Sequence, residues 1–415
     1  MVDSLGYACD AVDPVLESSE ARRALLAGFL GWTLDAFDYF LVVICMTAIA
    51  KDLHTQVTGI ALSLTITMAF RPVGAFIFGL LADRYGRRLP LIIDLIFYSI
   101  IEVLTGLAPN LRTFLVLRAL FGIGMGGEWG AGASLVMEKV SPKWRGLLSG
   151  ILQEGYAVGN LLASFCYFFV FPLAGWRVLF FIGGLPALLA LFVRFGVRES
   201  RVWEQTRHPD WANLFRAIGS HWRLFLFIVA LMAAMNFCSH GTQDLYPTFL
   251  EKSHGMSPKP RAMLNAFTMV GAVSGGIVFG LISDRIGRRK AMVTALVLAL
   301  AVVPIWAFAK NAILLWTGGF LIQFMVQGAW GVIPAHINEL APDSVRGFLP
   351  GFAYQVGVLI AGTAPLIQSR LTEKLHYPYA NVMAGTALTV FTLAAIVTAL
   401  GSESSGREFG VVESR

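Results

Sequence analysis

Long apolar runs separated by short polar connections cover almost the whole of the chain. Each run holds about 20 residues or more, which is the length that an α-helix needs to cross the hydrocarbon core of a bilayer. The pattern therefore predicts an all-α membrane protein with twelve transmembrane helices. The runs are roughly residues 24–50, 57–82, 89–107, 113–138, 146–172, 177–196, 224–250, 261–283, 291–309, 312–337, 347–369 and 379–400.

One polar connection is much longer than the others and separates the first six runs from the last six. Such a connection is typical of a linker between two helical bundles. The predicted organisation is a cytosolic tail over residues 1–23, a six-helix bundle over 24–196, a cytosolic linker over 197–223, a second six-helix bundle over 224–400 and a cytosolic tail over 401–415.

Composition agrees with a membrane protein, because 56% of the residues are hydrophobic and 14% are charged, against about 25% charged in a soluble domain. The net charge of +6 comes from basic residues in the short connections, so nucleic-acid binding is not expected. These residues fall mostly on one side of the predicted membrane, which places both termini in the cytosol of a cell-membrane protein. We expect a monomer. Metal-ligand spacings, nucleophile elbows and nucleotide loops are absent from the sequence, so neither an enzyme nor a cofactor is expected.

The two halves of the chain repeat each other. Residues 79–88, GLLADRYGRR, return as residues 280–289, GLISDRIGRR, at an offset of about 201 residues. The same offset carries residues 138–146 onto 339–347 and residues 126–130 onto 327–331. Two parallel repeats with a central site at the middle of the membrane are an architecture of secondary transporters.

The repeated loop pattern Gly-x-x-x-Asp-Arg-x-Gly-Arg-Arg resembles the hallmark of the major facilitator superfamily, and the pattern of spans covers the whole chain. Within that superfamily, residues 236–248 resemble the Asn-x-x-Ser/Thr-His-x-Ser/Thr-Gln-Asp-x-x-x-Thr motif of lactate permeases, which belong with the sialate:proton symporters. The resemblance implies proton-coupled uptake of short monocarboxylates such as lactate or pyruvate. The residues that fill the motif are Asn236, Ser239, His240, Thr242, Gln243, Asp244 and Thr248.

Charged residues inside the apolar runs are candidates for function, because a charge at membrane depth costs a few kcal/mol and needs a cavity or a partner. The repeat comparison shows which of them the fold does not require, since the other half has a neutral or different polar residue at the equivalent position. Arg71 maps onto Ala272, Glu128 onto Ala329, Arg118 onto Gly319, Asp38 onto Ser239 and Glu154 onto Gln355.

Arg71 is the candidate anchor for a substrate carboxylate, because a guanidinium is permanently charged and can bind both oxygens at once. The alternative is a structural ion pair with Asp38 or Glu128. Arg118 resembles the basic residue that many proton-linked members of the superfamily carry on the fourth span, and we expect it to be a charge partner. Asp35 lies one helical turn before Asp38 and is a second charge partner.

Four carboxylates are candidates for carrying the coupling proton, because burial favours the neutral form of an acid. They are Asp38, Glu128, Asp244 and Glu154. The alternative for Asp38 and Glu128 is a structural pair with one of the two buried arginines.

Helical spacing puts Asn236, His240 and Gln243 on one face, with Asp244 four residues after the histidine. Amides and an imidazole there could bind a carboxylate and its 2-hydroxyl or 2-oxo group, with His240 also able to exchange protons. Gln327 and Gln355 stand at inward positions of the second half and could complete this wall. The alternative is a hydrogen-bond cluster that only joins helices.

The two loop motifs predict a gate. Asp83 and Asp284 can accept hydrogen bonds from a helix N-terminus or from loop arginines, and such bonds exist only when the cytosolic side is closed. The predicted gating residues are Asp83, Arg84, Arg87, Arg145, Asp284, Arg285, Arg288 and Arg346. Two alternatives to a monocarboxylate symporter stay open: a transporter of a larger acid such as sialic acid, and a nutrient sensor that uses the same scaffold without transport.

Overall fold

The computed structural model describes residues 14–207 and 210–410, and the regular elements within these ranges are all helical. Residues 1–13 of the predicted N-terminal tail and 411–415 of the predicted C-terminal tail lie outside the described part. The first helix begins ten residues before the predicted first run. The helices of the first half are α1 (Pro14–Asp52), α2 (Val57–Tyr85), α3 (Arg88–Gly106), α4 (Leu111–Lys139), α5 (Arg145–Gln153), α6 (Gly155–Phe169), α7 (Phe171–Ile182) and α8 (Pro186–Gly196).

Two short helices occupy the connection that the sequence showed only as polar, namely α9 (Arg201–Thr206) and α10 (Trp211–Ser220). The second half then repeats the arrangement of the first. Its helices are α11 (Trp222–Gln243), α12 (Tyr246–His254), α13 (Pro258–Ile286), α14 (Arg288–Ala307), α15 (Ala312–Leu340), α16 (Leu349–Ala361), α17 (Ala364–Ser369) and α18 (Tyr379–Leu400).

Several predicted spans consist of two helices in succession: α5–α6, α7–α8, α11–α12 and α16–α17. Ten segments within the described residues are long and apolar enough to cross a membrane by themselves. Helix α4 and the α5–α6 pair, which is interrupted at Glu154, correspond to the predicted fourth and fifth spans. The prediction of an all-α, twelve-span membrane fold is confirmed.

Packing within each half follows the sequence repeat. Helix α2 packs along α4, as α13 packs along α15, and α1 contacts α4 and α6. The halves meet where α5 contacts α13 and α15, and where α16 contacts α2 and α4. Large apolar side chains such as Leu173, Phe168 and Phe195 are exposed on the outside of the bundle, which is the surface that a bilayer covers.

Glycines allow α2 and α4 to approach each other closely. A Cβ atom at Gly126 would collide with the backbone carbonyl of Arg71, and one at Gly74 would collide with that of Ile123. The second half has the same arrangement, because a Cβ at Gly275 would collide with the backbone of Phe324. Small residues at helix contacts are typical of membrane bundles. The glycine run of α4 therefore fixes the backbone position of Arg71.

Candidate functional site: a polar cavity between the halves

A cavity of about 70 Å³ lies between the two halves. Helices α1, α2, α5 and α6 contribute one wall, and α11, α15 and α16 contribute the other. The lining residues are Trp32, Met68, Arg71, Gln153, Tyr156, Asn236, Ser239, His240, Gln243, Asp244, Gln327, Trp330, Tyr354 and Val358. Six predicted binding or coupling residues are among them.

Arg71 is the one charged side chain that the first half contributes to this lining. It is 2% exposed, and its Nη1 atom lies 3.5 Å from the Met68 sulfur. Its guanidinium carbon lies 5.8 Å from the centre of the Tyr354 ring. Among the described residues, Nε and Nη2 have no hydrogen-bond partner. A buried guanidinium with open donors is costly unless it binds an anion.

Aromatic rings surround Arg71, and the sequence analysis did not single them out. Trp32 lies 5.6 Å from Tyr156 and 6.5 Å from Tyr354, measured between ring centres. Trp330 lies 5.8 Å from Tyr354. Trp330 belongs to the repeated segment 327–331, so the repeat gave a signal for it. Rings of this kind exclude water and strengthen electrostatic contacts inside the cavity.

The opposite wall is the polar face of α11. His240 Nδ1 lies 3.0 Å from Asp244 Oδ2, and the two side chains are 24% and 34% exposed. Gln243 donates from Nε2 to Gln323 Oε1 at 2.6 Å. The Asn236 amide donates to the Met232 carbonyl at 2.8 Å. The structure thus brings the predicted face of α11 onto the cavity, and it adds Gln323 as a support that holds Gln243.

The two glutamines from the second half have different positions. Gln327 lines the cavity, where its Nε2 lies 3.4 Å from Ser239 Oγ. Gln355 is fully buried and lies outside the cavity lining, and both of its amide atoms lack a partner among the described residues. Its neighbour Tyr354 occupies the cavity position instead, because consecutive residues of a helix point in different directions.

Most of the predicted proton carriers lie away from the cavity. Asp38 and Glu128 are buried inside the first half, as is the predicted charge partner Asp35. A Cβ at Gly31 would collide with the Glu128 carboxylate, so this side chain packs against α1. Glu154 lies at the break between α5 and α6, and in the same way it packs against Gly276 of α13. Asp244 is the predicted carrier that lines the cavity.

Arg118, the expected charge partner, forms its hydrogen-bonded ion pair with Glu102 of α3. Arg118 Nη2 also lies 3.2 Å from Thr105 Oγ1, and the guanidinium carbon lies 4.2 Å from the Phe121 ring centre. Glu102, and Asp94 on the same helix, lie in the predicted third span. The search for charges inside apolar runs, applied to that span, would have found both.

The loops of both repeats form one closed surface, called here the arginine-rich face and defined by residues 83–88, 138–147, 284–289 and 339–348. Asp83 accepts backbone hydrogen bonds from Gly347 at 2.8 Å and Phe348 at 2.9 Å. Asp284 accepts the equivalent bonds from Gly146 and Leu147, at 2.8 Å and 2.9 Å. Each aspartate therefore binds the start of a helix in the other half.

Arginines reinforce this contact between the halves. Arg145 lies 3.0 Å from Glu339, and Arg346 lies 3.5 Å from Glu138. Within each half, Arg87 binds Asp83 and Glu138, and Arg288 binds Asp284 and Glu339. Arg84 lies against the Tyr85 ring and Arg285 is exposed.

The glycine of each loop motif is required by the backbone. Gly86 has φ 101° and Gly287 has φ 95°, a region that side chains with a Cβ atom rarely adopt. The turn presents the next two backbone N–H groups to a carboxylate. Glu199 accepts them after Gly86, and Glu403 accepts them after Gly287.

Sequence comparison identifies relatives along almost the whole chain. A family model described as Major Facilitator Superfamily matches residues 28–365 and, in a second match, residues 245–410. The sialic acid transporter NanX of Escherichia coli (strain K12) is 30% identical over 85% of this chain and 87% of that protein. A carboxylic acid transporter protein homolog of Saccharomyces cerevisiae is 27% identical over 92% of this chain and 68% of that protein.

Solved structures include a protein with the same fold. The proton:xylose symporter XylE, bound to 6-bromo-6-deoxy-D-glucose, superposes with a TM-score of 0.76 over 95% of this chain and 98% of that one. Its sequence is 18% identical, so this likeness concerns the fold alone.

Proposed function

Because the chain belongs to the major facilitator superfamily, whose members are transporters rather than enzymes, we propose that it carries short monocarboxylates together with a proton. Lactate and pyruvate are the representative cargoes. The observation that carries the proposal is the Arg71 guanidinium, which is buried at the cavity wall with two nitrogen atoms unpartnered among the described residues. Such a group favours an anion that can accept two hydrogen bonds, and a carboxylate does so.

The size of the cavity supports a small cargo. Its volume of about 70 Å³ is several times the roughly 10–15 Å³ that one water molecule needs. Lactate and pyruvate have only six non-hydrogen atoms each, so a cavity of this size favours them over a larger acid. Sialic acid has more than three times as many, and the cavity would have to widen before that acid could enter.

The wall opposite Arg71 supports recognition of the second polar group of such a cargo. A 2-hydroxyl or 2-oxo group beside the carboxylate needs donors and acceptors a few ångströms from the guanidinium. His240 and Gln327 line the same cavity as Arg71, with Asn236 and Gln243 beside them on the opposite wall. Gln243 is held in place by Gln323, and an ordered partner reduces the entropy that binding costs.

Proton coupling in this proposal uses the carboxylates that the sequence singled out. Asp244 lies against His240 on the cavity wall and would exchange a proton with the cargo site. Asp38, Glu128 and Glu154 are buried and form no ion pair within the part of the chain that the structure describes, so they would hold a proton in a closed state. Symport requires that proton and cargo each favour the same loaded conformation.

Alternating access would use the arginine-rich face as its gate. We propose that this face lies in the cytosol of a cell membrane, as the loop charges predict, and that the protein works as a monomer. The face is closed by bonds between the halves, while His240 and Asp244 are partly exposed at the cavity. The cargo would thus enter from the outside.

The experiment is uptake of labelled lactate into liposomes that hold the purified protein. An inward-directed proton gradient should accelerate uptake and drive accumulation above the external concentration, because a symporter converts one gradient into another. Empty liposomes and liposomes with a proton ionophore are the controls. Lactate uptake that is unaffected by the gradient contradicts the symport mechanism, and the absence of any uptake contradicts the cargo.

A larger organic acid is the second candidate, because NanX, at 30% identity, is named a sialic acid transporter. Competition distinguishes the two. Unlabelled sialic acid in large excess should leave labelled lactate uptake almost unchanged if the cavity is built for small acids. Strong inhibition by sialic acid, or its own proton-driven uptake, would favour the larger cargo.

A further inference from the structure

A second group of buried charges lies away from the cavity, where α1, α3 and α4 meet the break between α7 and α8. Arg118 forms its ion pair with Glu102 there. A Cβ atom at Gly183 would collide with both the Asp38 carboxylate and the Glu102 side chain, so these two acids meet across that glycine. We name Asp38, Glu102 and Arg118 the charge triad.

The charges of the triad do not balance. It has two carboxyl groups and one guanidinium, and all three side chains are at most 1% exposed. Both oxygens of Asp38 and Oε1 of Glu102 lack a hydrogen-bond partner among the described residues. The rings of Phe121 and Phe180, 4.2 Å and 5.6 Å from the Arg118 carbon, close it off further. An uncompensated carboxylate in such surroundings costs several kcal/mol, so one acid must hold a proton.

We infer that Glu102 is a proton-coupling residue, and that the charge triad holds the transported proton while Arg118 neutralises whichever acid is ionised. This inference rests on the proposed proton symport. In the conformation described here, Glu102 is ionised and paired with Arg118, and Asp38 carries the proton. When the proton moves from Asp38 to Glu102, Arg118 pairs with Asp38 instead. On release, the proton passes from the triad to water admitted by the conformational change, and the two carboxylates then share the Arg118 guanidinium.

The neighbours of Glu102 restrict where the proton can reside. Among the described residues, the charged groups beside Glu102 are Arg118 from α4 and Asp38 from α1, with Asp35 of α1 also close enough to interact electrostatically. From α7 the neighbours are Phe180 and the cap residue Gly183, which are uncharged. On α3 itself, Thr105 binds Arg118. A proton held by Glu102 would weaken its attraction to Arg118 and free the guanidinium to pair with Asp38.

Helix α1 connects the triad to the cargo. Trp32 lines the cavity, and Asp38 follows it on the same rigid helix about 9 Å farther along at about 1.5 Å per residue. A shift of α1 on cargo binding therefore moves Asp38 relative to Glu102 and Arg118. On its other side the triad lies against the α7–α8 break, where Gly183 leaves space for both acids.

The test separates exchange from accumulation in liposomes. Exchange of internal for external lactate needs no net proton movement, whereas accumulation driven by a pH gradient needs the proton site to load and unload. Glu102→Gln keeps the side-chain shape and removes the titratable group. We expect exchange within about twofold of the wild-type rate and gradient-driven accumulation reduced to the external concentration. Glu102→Asp should restore part of the accumulation, which a merely structural role in packing would not do.

Asp94→Asn is the matched control, because Asp94 lies on the same helix and is likewise buried without a partner among the described residues, but is not in the triad. It should retain accumulation. Equal loss in both variants, or normal accumulation in Glu102→Gln, overturns the inference. Loss of exchange in a Glu102→Gln protein that still binds labelled lactate also overturns it.

Two further results keep the test decisive. If Glu102→Gln is not recovered from the membrane, the double variant Glu102→Gln/Arg118→Gln removes the pair without leaving one buried charge, and it carries the same two measurements. Wild-type protein without gradient-driven uptake contradicts the proposed symport and the triad together. Gradient-driven uptake in both the wild type and Glu102→Gln contradicts the triad alone.

Discussion

Arg71 has more hydrogen-bond donors than partners, so the cavity offers a positive charge with unpartnered N–H groups. The Tyr354 side chain and the Met68 sulfur lie beside it, and its Nε and Nη2 atoms have no hydrogen-bond partner among the described residues. The cost of keeping it buried is met when an anion binds. At the scale of single residues, the unpartnered donors of Arg71 therefore favour a cargo with an anionic group that accepts hydrogen bonds.

Arg71→Lys tests that conclusion, because lysine keeps the charge but loses the planar fork that binds both oxygens of a carboxylate. We expect the KM for lactate to rise about tenfold, which corresponds to about 1.4 kcal/mol of binding free energy. Initial uptake rates over a range of lactate concentrations measure it. Arg112→Lys, at an exposed position outside the cavity, is the control and should behave as wild type. An unchanged KM in Arg71→Lys would show that only the charge matters.

The sequence predicted part of the site because polar atoms stand out within apolar runs. Arg71, His240 and Gln243 were found in this way, and the structure places all three on the cavity. Trp32 and Tyr354 could not be found so, since an aromatic residue in an apolar run looks the same whether it faces lipid, core or cargo. The partner of Arg118 also escaped prediction, because pairing depends on how helices are rotated about their axes.

At the scale of elements, the interrupted spans are the features that the hydrophobic pattern hides. The α5–α6 pair appears in the sequence as one continuous apolar run, yet the helix is interrupted at Glu154. The hydrophobic pattern shows which residues prefer lipid, but it does not show where the backbone hydrogen bonds of a helix are interrupted. The start of α16, by contrast, is a feature that the sequence indicated. Asp83 was expected to accept hydrogen bonds from a helix N-terminus or from loop arginines, and it accepts them from Gly347 and Phe348.

Asp83→Asn tests the role of that bond between elements. An amide has one oxygen for two backbone donors, and its NH₂ group would face one of them, so the closed arginine-rich face loses stability. We expect the maximal transport rate to fall about tenfold while the KM stays within about twofold of the wild type. Uptake kinetics at matched protein amounts provide the measurement.

Asp52→Asn is the matched control for this variant. Asp52 also forms an ion pair, with Arg177 at 2.8 Å, but both side chains are substantially exposed. Exposed pairs contribute little, about 0–1 kcal/mol, so this change should leave transport almost unaffected. Transport by Asp83→Asn at the wild-type rate would show that the bond across the face is dispensable.

At the scale of the whole molecule, the two halves touch through backbone as well as through charge. A Cβ at Gly130 of α4 would lie 2.9 Å from the Gly351 Cα of α16, and a Cβ at Gly351 would lie 2.8 Å from the Gly130 Cα. Contact this close leaves no room for a methyl group. The repeat matched 126–130 with 327–331 but could not show this contact, since an internal match reveals equivalence rather than proximity.

Gly130→Ala tests whether this contact holds the arginine-rich face closed. The added methyl group should push α16 away from α4 and favour conformations with that face open. A cysteine in place of the buried Ala335, in a chain with its four cysteines replaced by alanine, reports this by its rate of maleimide labelling. We expect about fivefold faster labelling, which corresponds to about 1 kcal/mol.

Gly132→Ala is the control, because its Cβ would lie 3.9 Å from the nearest atoms, an ordinary contact. It lies two residues along the same helix and changes the helix propensity in the same way. Labelling of Ala335→Cys should stay at the original rate in this variant. The same increase in both variants would trace the effect to the stiffness of α4 and not to the contact with α16.

The exchange of carboxylates between the halves has a consequence for how the molecule keeps its helices intact. The first turns of α5 and α16 have donors that their own helices cannot satisfy, and Asp284 and Asp83 satisfy them from the opposite half. Separation of the halves therefore uncovers two helix ends at the same moment. Closure of the face and the pairing of these backbone donors are therefore linked, because each half supplies the hydrogen-bond acceptor for the start of a helix in the other half.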